Sequence, residues 1–450
     1  MTLEPAGTIS PRRFAAFYLP LVATSYLLTA TNPLLAAALA RTQDPATSLS
    51  GYGVAFALIG VIYAPLLVVQ QVAAQRLLST GDVRSVKRFT ALVAVLLSGV
   101  AALVAYTPVG IFVFQEIVGV RDAILDEAMS AMTALWLVPA LTGMRAFHQG
   151  RLVAGHRTGP IAFATGARTM TLGVIAFGLT LTPAGAWLGG VAFTVGLGVE
   201  AILVTLSPAP TPTPEERAAD ADEEDKLVSF STPLMLNVML WWSTPLIINS
   251  VLARTPEPDC SIAAFTVVEA VAWFLAAPVG QLQHASLALV ECRDTHARVR
   301  GYATGLAIAV TLFLGILAIP AVREAILWTG FRLDPSLLEP AGLAFPVAAL
   351  YPLLYGHRQY YQGLFVRAGC TGLVGRSAVL RIVVILAAAP ILLGPMGENG
   401  ARLGVTLAVV GLVAEAVFLE VMARLRALPL LDAAREAAAA GRTGPVETPA

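Results

Sequence analysis

Along this chain apolar residues gather into long runs, and polar residues fall between them. Each run reaches the roughly 18 residues that a helix needs to cross the ~30 Å hydrocarbon core of a bilayer. Period-two alternation is absent, which excludes a transmembrane β-barrel. The pattern predicts helices over 14–40, 51–78, 89–107, 124–149, 160–182 and 187–206, and again over 227–252, 263–289, 302–319, 337–362, 373–394 and 403–423. The fold class that follows is all-α, a polytopic membrane protein of about twelve transmembrane helices.

The second set of helices repeats the first. Adding 213 to a residue number carries Arg41 and Thr42 onto Arg254 and Thr255, and Pro65 and Gln70 onto Pro278 and Gln283. The same step carries Pro139, Arg145, Gln149 and Arg168 onto Pro352, Arg358, Gln362 and Arg381. After a two-residue insertion Glu200 meets Glu415. Matches of Ala with Ala arise by chance in such a chain; matches of Pro, Arg, Gln and Glu in register do not. A fixed period marks a repeated architecture. The expected organisation is an N-terminal lobe over 1–206, a Pro-rich then acidic linker over 207–226, a C-terminal lobe over 227–424 and a tail over 425–450. Asp122 and Asp334-Pro335 are placed to cap the fourth and tenth helices.

Six helices per repeat give both repeats one orientation, and loop charges choose it. Arg84, Lys87, Arg88, Arg151, Arg298 and Arg300 belong to a larger set on one side, against Arg41, Arg121, Arg254, Arg323, Arg332 and Arg402 on the other. By the positive-inside rule both termini are cytoplasmic, in a multi-pass protein of the inner (plasma) membrane. The first run, Phe14 to Ala40, is too long for the apolar region of a cleaved signal peptide, and its pattern recurs mid-chain.

Composition narrows the picture further. Of 450 residues 57% are apolar and 13% charged, so no large soluble domain is expected. The 29 basic and 29 acidic residues balance, which argues against nucleic acid as a partner. Cys260, Cys292 and Cys370 are scattered and suggest neither a disulfide framework nor a metal site. Phosphate-binding loops, zinc-protease motifs and nucleophile elbows are missing, so neither an enzyme nor a resident cofactor is expected. A monomer in a lipid bilayer, driven by an ion or substrate gradient, is the reading that remains.

Ionisable residues inside a span are costly and mark function unless they pair. Arg168 and Glu200 fall at similar depth in adjacent helices, and Arg381 and Glu415 repeat them. The economical reading is one structural charge pair per half. Arg145 with Gln149, and Arg358 with Gln362, share a helix face near the cytoplasmic end. Snorkelling to the headgroups is one reading. The other is a pair of guanidinium groups at a cavity mouth, suited to carboxylate or phosphate. Gln70, Gln283 and His284 follow the repeated prolines Pro65 and Pro278, and Asn32 and Asn237 stand beside other prolines. Polar groups beside a proline kink suit a water-lined cavity or interhelical hydrogen bonds. Glu269 has Phe56 as its repeat partner and no obvious counterion, which makes it the ion-coupling candidate; its place about two turns from the exterior end equally suits a solvated cavity wall.

The stretches Phe17–Ser25, Tyr52–Leu58 and Val379–Leu386, with Gly400–Val405 followed by Gly411–Glu415, resemble the progressive ankylosis proteins along most of the chain. The Ala-, Arg- and Gly-rich composition gives the look of a remote bacterial member. That family belongs to the superfamily of multidrug and toxin extrusion (MATE) transporters and lipid-linked oligosaccharide flippases. The resemblance implies a MATE-like fold of two pseudo-symmetric six-helix lobes working by alternating access. It implies a secondary exporter of an organic or phosphorylated anion such as citrate, a nucleotide or pyrophosphate. It carries over Arg381 and Glu415 as architectural residues. Proton- or sodium-coupled multidrug efflux through Glu269, and lipid flipping, stay open beside it.

Overall fold

A computed structural model describes residues 11–70, 72–73, 83–154, 157, 159–208, 222–290, 292–368 and 370–439. Every regular element among them is helical. In the first half α1 spans Pro11–Thr29, α2 Thr31–Leu39, α3 Pro45–Leu67, α4 Val83–Tyr106, α5 Pro108–Phe112, α6 Asp122–Leu135, α7 Val138–Ala154, α8 Gly159–Leu179 and α9 Trp187–Leu206. In the second half α10 spans Asp222–Leu252, α11 Pro258–Leu275, α12 Ala277–Gly280, α13 Leu282–Leu289, α14 Arg293–Gly315, α15 Pro320–Glu324, α16 Pro335–Ala348, α17 Tyr351–Arg367, α18 Thr371–Met396, α19 Gly400–Met422 and α20 Leu428–Ala439. Helices α5 and α15 widen into π turns, Val113–Val118 and Ala325–Phe331.

Ten of these segments are long and apolar enough to cross a membrane, or eleven when the bent pair α16–α17 is taken as one span. The expected span over 14–40 is present as α1 and α2, which meet at Ala30. The repeated prolines act as expected of a residue that lacks an amide donor. Helix α3 stops two residues after Pro65, and Pro278 lies in the short α12 where the eighth span is broken.

Other expectations need correcting. The linker was expected to reach 226, yet α10 is already helical from Asp222; residues 209–221 lie outside the description. The boundary at 424 falls inside a helix, because α19 continues through a π turn, Ala423–Ala427, into α20. Asp334 does cap α16, accepting from Ser336 N at 2.9 Å and Ser336 Oγ at 2.6 Å, and these bonds hold its carboxyl below the usual range. Asp122 does not cap α6. It is the first helical residue, at φ 50°, and Arg121 occupies the cap position.

One face of the molecule carries Arg293 bonded to Asp432 near the chain's ends; we call it the terminal face. On the opposite, far face, helices start at Asp44-Pro45, Thr107-Pro108, Asp334-Pro335 and Asn399-Gly400, each with a side-chain cap. Helix α3 is the most enclosed span, packed on α6 and α7 of its own half and on α10 and α11 of the other. Helices α4, α8 and α18 turn Leu92, Val95, Met170, Val174, Val383 and Leu386 outward, as lipid-facing helices do. Small residues permit the close crossings. A Cβ on Gly190 of α9 would lie 2.8 Å from the Ala131 carbonyl of α6.

Gly190→Ala is therefore expected to destabilise the fold by about 1–3 kcal/mol. Gly173→Ala on α8 meets nothing within 4 Å and is expected to be neutral or stabilising. Thermal unfolding of the two detergent-purified variants separates these outcomes.

Candidate functional site

A cavity of about 1000 Å³ lies between the two halves. Its walls come from α1–α3 and α7–α9 of the first half and from α10, α11, α18 and α19 of the second, with Gln281, His284 and Tyr351. At the terminal face it reaches Val153 and Gly159, at the end of α7 and the start of α8. Toward the far face it stops near Ala36 and Ile248, five and six residues before Arg41 and Arg254. At 1.5 Å per residue that leaves roughly 7–9 Å of closed protein.

Two carboxylates anchor the walls. Glu200 is fully buried on α9 and accepts from Arg145 Nη1 at 3.3 Å, Arg168 Nη1 at 3.1 Å, Gln149 Nε2 at 3.1 Å and Thr165 Oγ1 at 3.0 Å. Glu415, buried on α19, accepts from Arg358 Nε at 2.8 Å, Arg381 Nη1 at 2.7 Å and Ser377 Oγ at 3.1 Å. A charge taken out of water needs this degree of compensation. The sequence reading divided these residues into structural pairs and cavity arginines, and that division is corrected here. Arg145 and Arg358 share the carboxylates of Arg168 and Arg381, so each cluster has two guanidinium groups on one carboxylate. The repeat explains the likeness; the hydroxyl donor, Thr165 or Ser377, is supplied from positions that do not correspond.

The two clusters differ in exposure. In the first, Arg145 and Arg168 keep 13% and 12% of their side-chain surface, and both line the cavity with Gln149. In the second, Arg358 and Arg381 keep 6% and 1%. The Trp241 ring covers both, with centroid distances of 3.8 Å and 4.4 Å. Arg381 still contributes to the wall, but Arg358 does not. Gln362 is buried off the cavity with its Nε2 unpartnered. Two further cavity candidates are also corrected. Gln283 points about 100° round α13 from His284, which does line the wall. Asn237 lies a turn before Trp241, which forms the wall in its place. Gln70, Asn32 and Glu269 all line the cavity.

No basic side chain pairs with Glu269 among the described residues; Trp273, one turn along α11, lines the cavity beside it. Aromatic rings make up much of the remaining wall, which polarity-based reading missed. Adjacent Trp241 and Trp242 on α10 face opposite halves. Trp241 stands 5.9 Å from Trp273 and 5.7 Å from Tyr355, whereas Trp242 stands 5.5 Å from Tyr63 and 6.4 Å from Phe56. The paired tryptophans inside a span, and the aromatic match of Tyr52 with Phe265 in the repeat, were the available signals. Among the described residues no group of His, Cys, Asp and Glu is placed to hold a metal ion.

No protein-family model matches the chain, and no curated protein matches its sequence. Solved structures do match its fold. An inward-facing multidrug resistance MATE family transporter of the MOP superfamily superposes with TM-score 0.70 at 16% identity, over 89% of this chain and 95% of that one. A MOP superfamily transporter from Pyrococcus furiosus, described as having a binding pocket of reverse polarity, superposes with TM-score 0.63 at 13% identity, over 95% and 99%. The lipid II flippase MurJ, in an inward closed conformation, superposes with TM-score 0.66 at 9% identity, over 92% and 89%. The chain thus has the all-α, multi-pass fold of the MATE-like membrane transporters, shared with a lipid flippase.

Because Glu415 is, among the described residues, the sole carboxylate between two buried guanidinium groups, Glu415→Gln is expected to destabilise by about 3–5 kcal/mol. Glu420→Gln, which removes a more exposed bridge to Arg300, is expected to cost about 1 kcal/mol or less. Thermal unfolding, with monodispersity in size-exclusion chromatography, checks the contrast.

Proposed function

We propose that this protein is a secondary transporter that exports an organic or phosphorylated anion by alternating access between its two halves. The observation that carries the reading is the charge of the cavity wall. On that wall Arg145 and Arg168 share the Glu200 carboxylate, leaving one formal positive charge beside the cavity between the halves. Guanidinium groups held this way present fixed donors to carboxylate or phosphate. The Pyrococcus transporter described as having reversed pocket polarity supports the idea that this fold accommodates more than one sign of substrate. The ankylosis-like stretches favour the same substrate class. The cavity reaches the terminal face and stops short of the far face, which fits a state open toward the expected cytoplasm. On this reading the halves over 1–206 and 227–424 act as the moving lobes.

Glu269 favours a second reading, cation-coupled efflux. It is a carboxylate on the cavity wall among aromatic rings, with no basic partner among the described residues, and one fold relative is described as a multidrug resistance transporter. The MurJ likeness leaves lipid flipping as a third.

Proteoliposomes decide between them. Export of citrate, pyrophosphate or nucleotide is expected, with Arg145→Gln slowing it about tenfold or more. Flux indifferent to Arg145 removes the anion reading. Drug extrusion lost in Glu269→Gln would establish the second reading in its place.

A further inference from the structure

We infer that the anion site is built by one cluster only, that of Arg145, Arg168 and Glu200, while its repeat copy around Glu415 is a sealed structural element. This rests on the anion reading above. Both arginines and Gln149 of the first cluster reach the cavity; in the copy Arg358 and Gln362 are off the wall, Arg381 meets it with 1% of its side-chain surface exposed, and Trp241 lies over both guanidinium groups. A second observation lies on the same wall: the hydroxyl of Tyr52, which is 5% exposed, has no hydrogen-bond partner among the described residues. Leaving such a group unsatisfied is unfavourable. A carboxylate or phosphate seated among Arg145, Arg168 and Tyr52 would accept from all three.

Titration calorimetry on the purified full chain, with pyrophosphate, citrate and adenosine triphosphate as probes, tests this. Arg145→Gln and Arg358→Gln each leave one arginine on one glutamate, so they remove the same charge from equivalent places. Arg145→Gln is expected to weaken the tightest probe about tenfold, and Arg358→Gln less than about twofold. Equal losses, a loss confined to Arg358→Gln, or no loss in either overturns the assignment. If the wild type binds none of the three probes, the anion reading itself falls. Should Arg145→Gln fail to fold, the Lys variants at both positions keep the charge and lose the planar fork, and the same contrast applies.

A separate set of contacts carries a second inference, independent of substrate. The geometry points to a two-fold pseudo-symmetric latch at the far face, made by Arg41 and Arg254. Arg41, just after α2, donates to Phe331 O at 3.0 Å and Gly330 O at 2.7 Å in the other half. Arg254, just after α10, donates to Val118 O at 3.0 Å, again across the halves. Donors and acceptors both differ by the 213-residue repeat, as 41 to 254 and 118 to 331. Each acceptor ends a π turn whose next residue is left-handed, Gly119 at φ 93° and Arg332 at φ 52°. Helix C-termini expose unpaired carbonyls with partial negative charge, which suits a guanidinium donor. Ser250 Oγ adds a bond to Ile117 O at 3.3 Å. Opening the cavity to the far face requires these cross-half bonds to break.

A single cysteine at Thr244, on the cavity wall, in a chain with Cys260, Cys292 and Cys370 replaced, reports that opening through a membrane-impermeant maleimide applied to the far face. The Arg41→Gln/Arg254→Gln double variant is expected to raise labelling severalfold, and Arg402→Gln on the same face to leave it unchanged. Unchanged labelling in the double variant overturns the latch, as does an equal rise in Arg402→Gln. If the double variant fails to fold, each single variant is read by the same criterion. Labelling of the wild type when a transported anion is supplied reports on alternating access separately.

Discussion

A carboxylate buried among membrane helices has to be neutralised where it stands, and that requirement organises the centre of this protein. Glu200 ties α9 to α7 and α8, through Arg145, Gln149, Arg168 and Thr165. Glu415 ties α19 to α17 and α18, through Arg358, Arg381 and Ser377. Because each carboxylate accepts from donors on two neighbouring helices, three helices of each half are braced around it near the terminal face. The cavity lies beside these braces. Its shape therefore depends on the same bonds that make the buried charge tolerable.

Pseudo-symmetry supplies matching parts, and local substitutions make them unequal. Both clusters have the same charge, yet in one Phe193 lies over Arg168 alone, at 5.0 Å, whereas both guanidinium groups of the other are covered by Trp241. Position 28, its repeat counterpart, is a leucine, which cannot offer an equivalent aromatic face to a guanidinium. The same departure from symmetry puts Glu269 opposite Phe56, so one half has a lone carboxylate where the other has a ring. At the far face symmetry is retained, and Arg41 and Arg254 meet equivalent carbonyls. The contacts that close the far face are thus paired, whereas Glu269 and Trp241 on the cavity wall have no like residue at the matching positions of the first half.

The span pattern, the repeat and the breaks near Pro65 and Pro278 were legible because they depend on local properties. Hydropathy, proline geometry and residue identity in register need no knowledge of packing. The candidate site was only partly legible. Intramembrane Arg and Glu stand out in any apolar run, so all four arginines and both glutamates could be singled out. Their partners could not, since Arg145 lies 55 residues from Glu200 and Arg358 lies 57 from Glu415. The aromatic wall was missed because a Trp or Tyr in an apolar helix looks the same whether it faces lipid, core or cavity.

By itself the sequence determined an all-α membrane fold, its two-fold internal repeat and the set of charges that need burial or function. These follow from the cost of exposing backbone and charge to hydrocarbon, which is paid residue by residue. Tertiary structure alone decided that each glutamate serves two arginines, that Trp241 covers one cluster, that Arg358, Gln362, Gln283 and Asn237 lie off the cavity, and that Arg41 and Arg254 reach across the halves. Those outcomes depend on how helices distant in sequence rotate and cross, and a rotation of about 100° between neighbouring residues is enough to move a side chain from the cavity wall to the core.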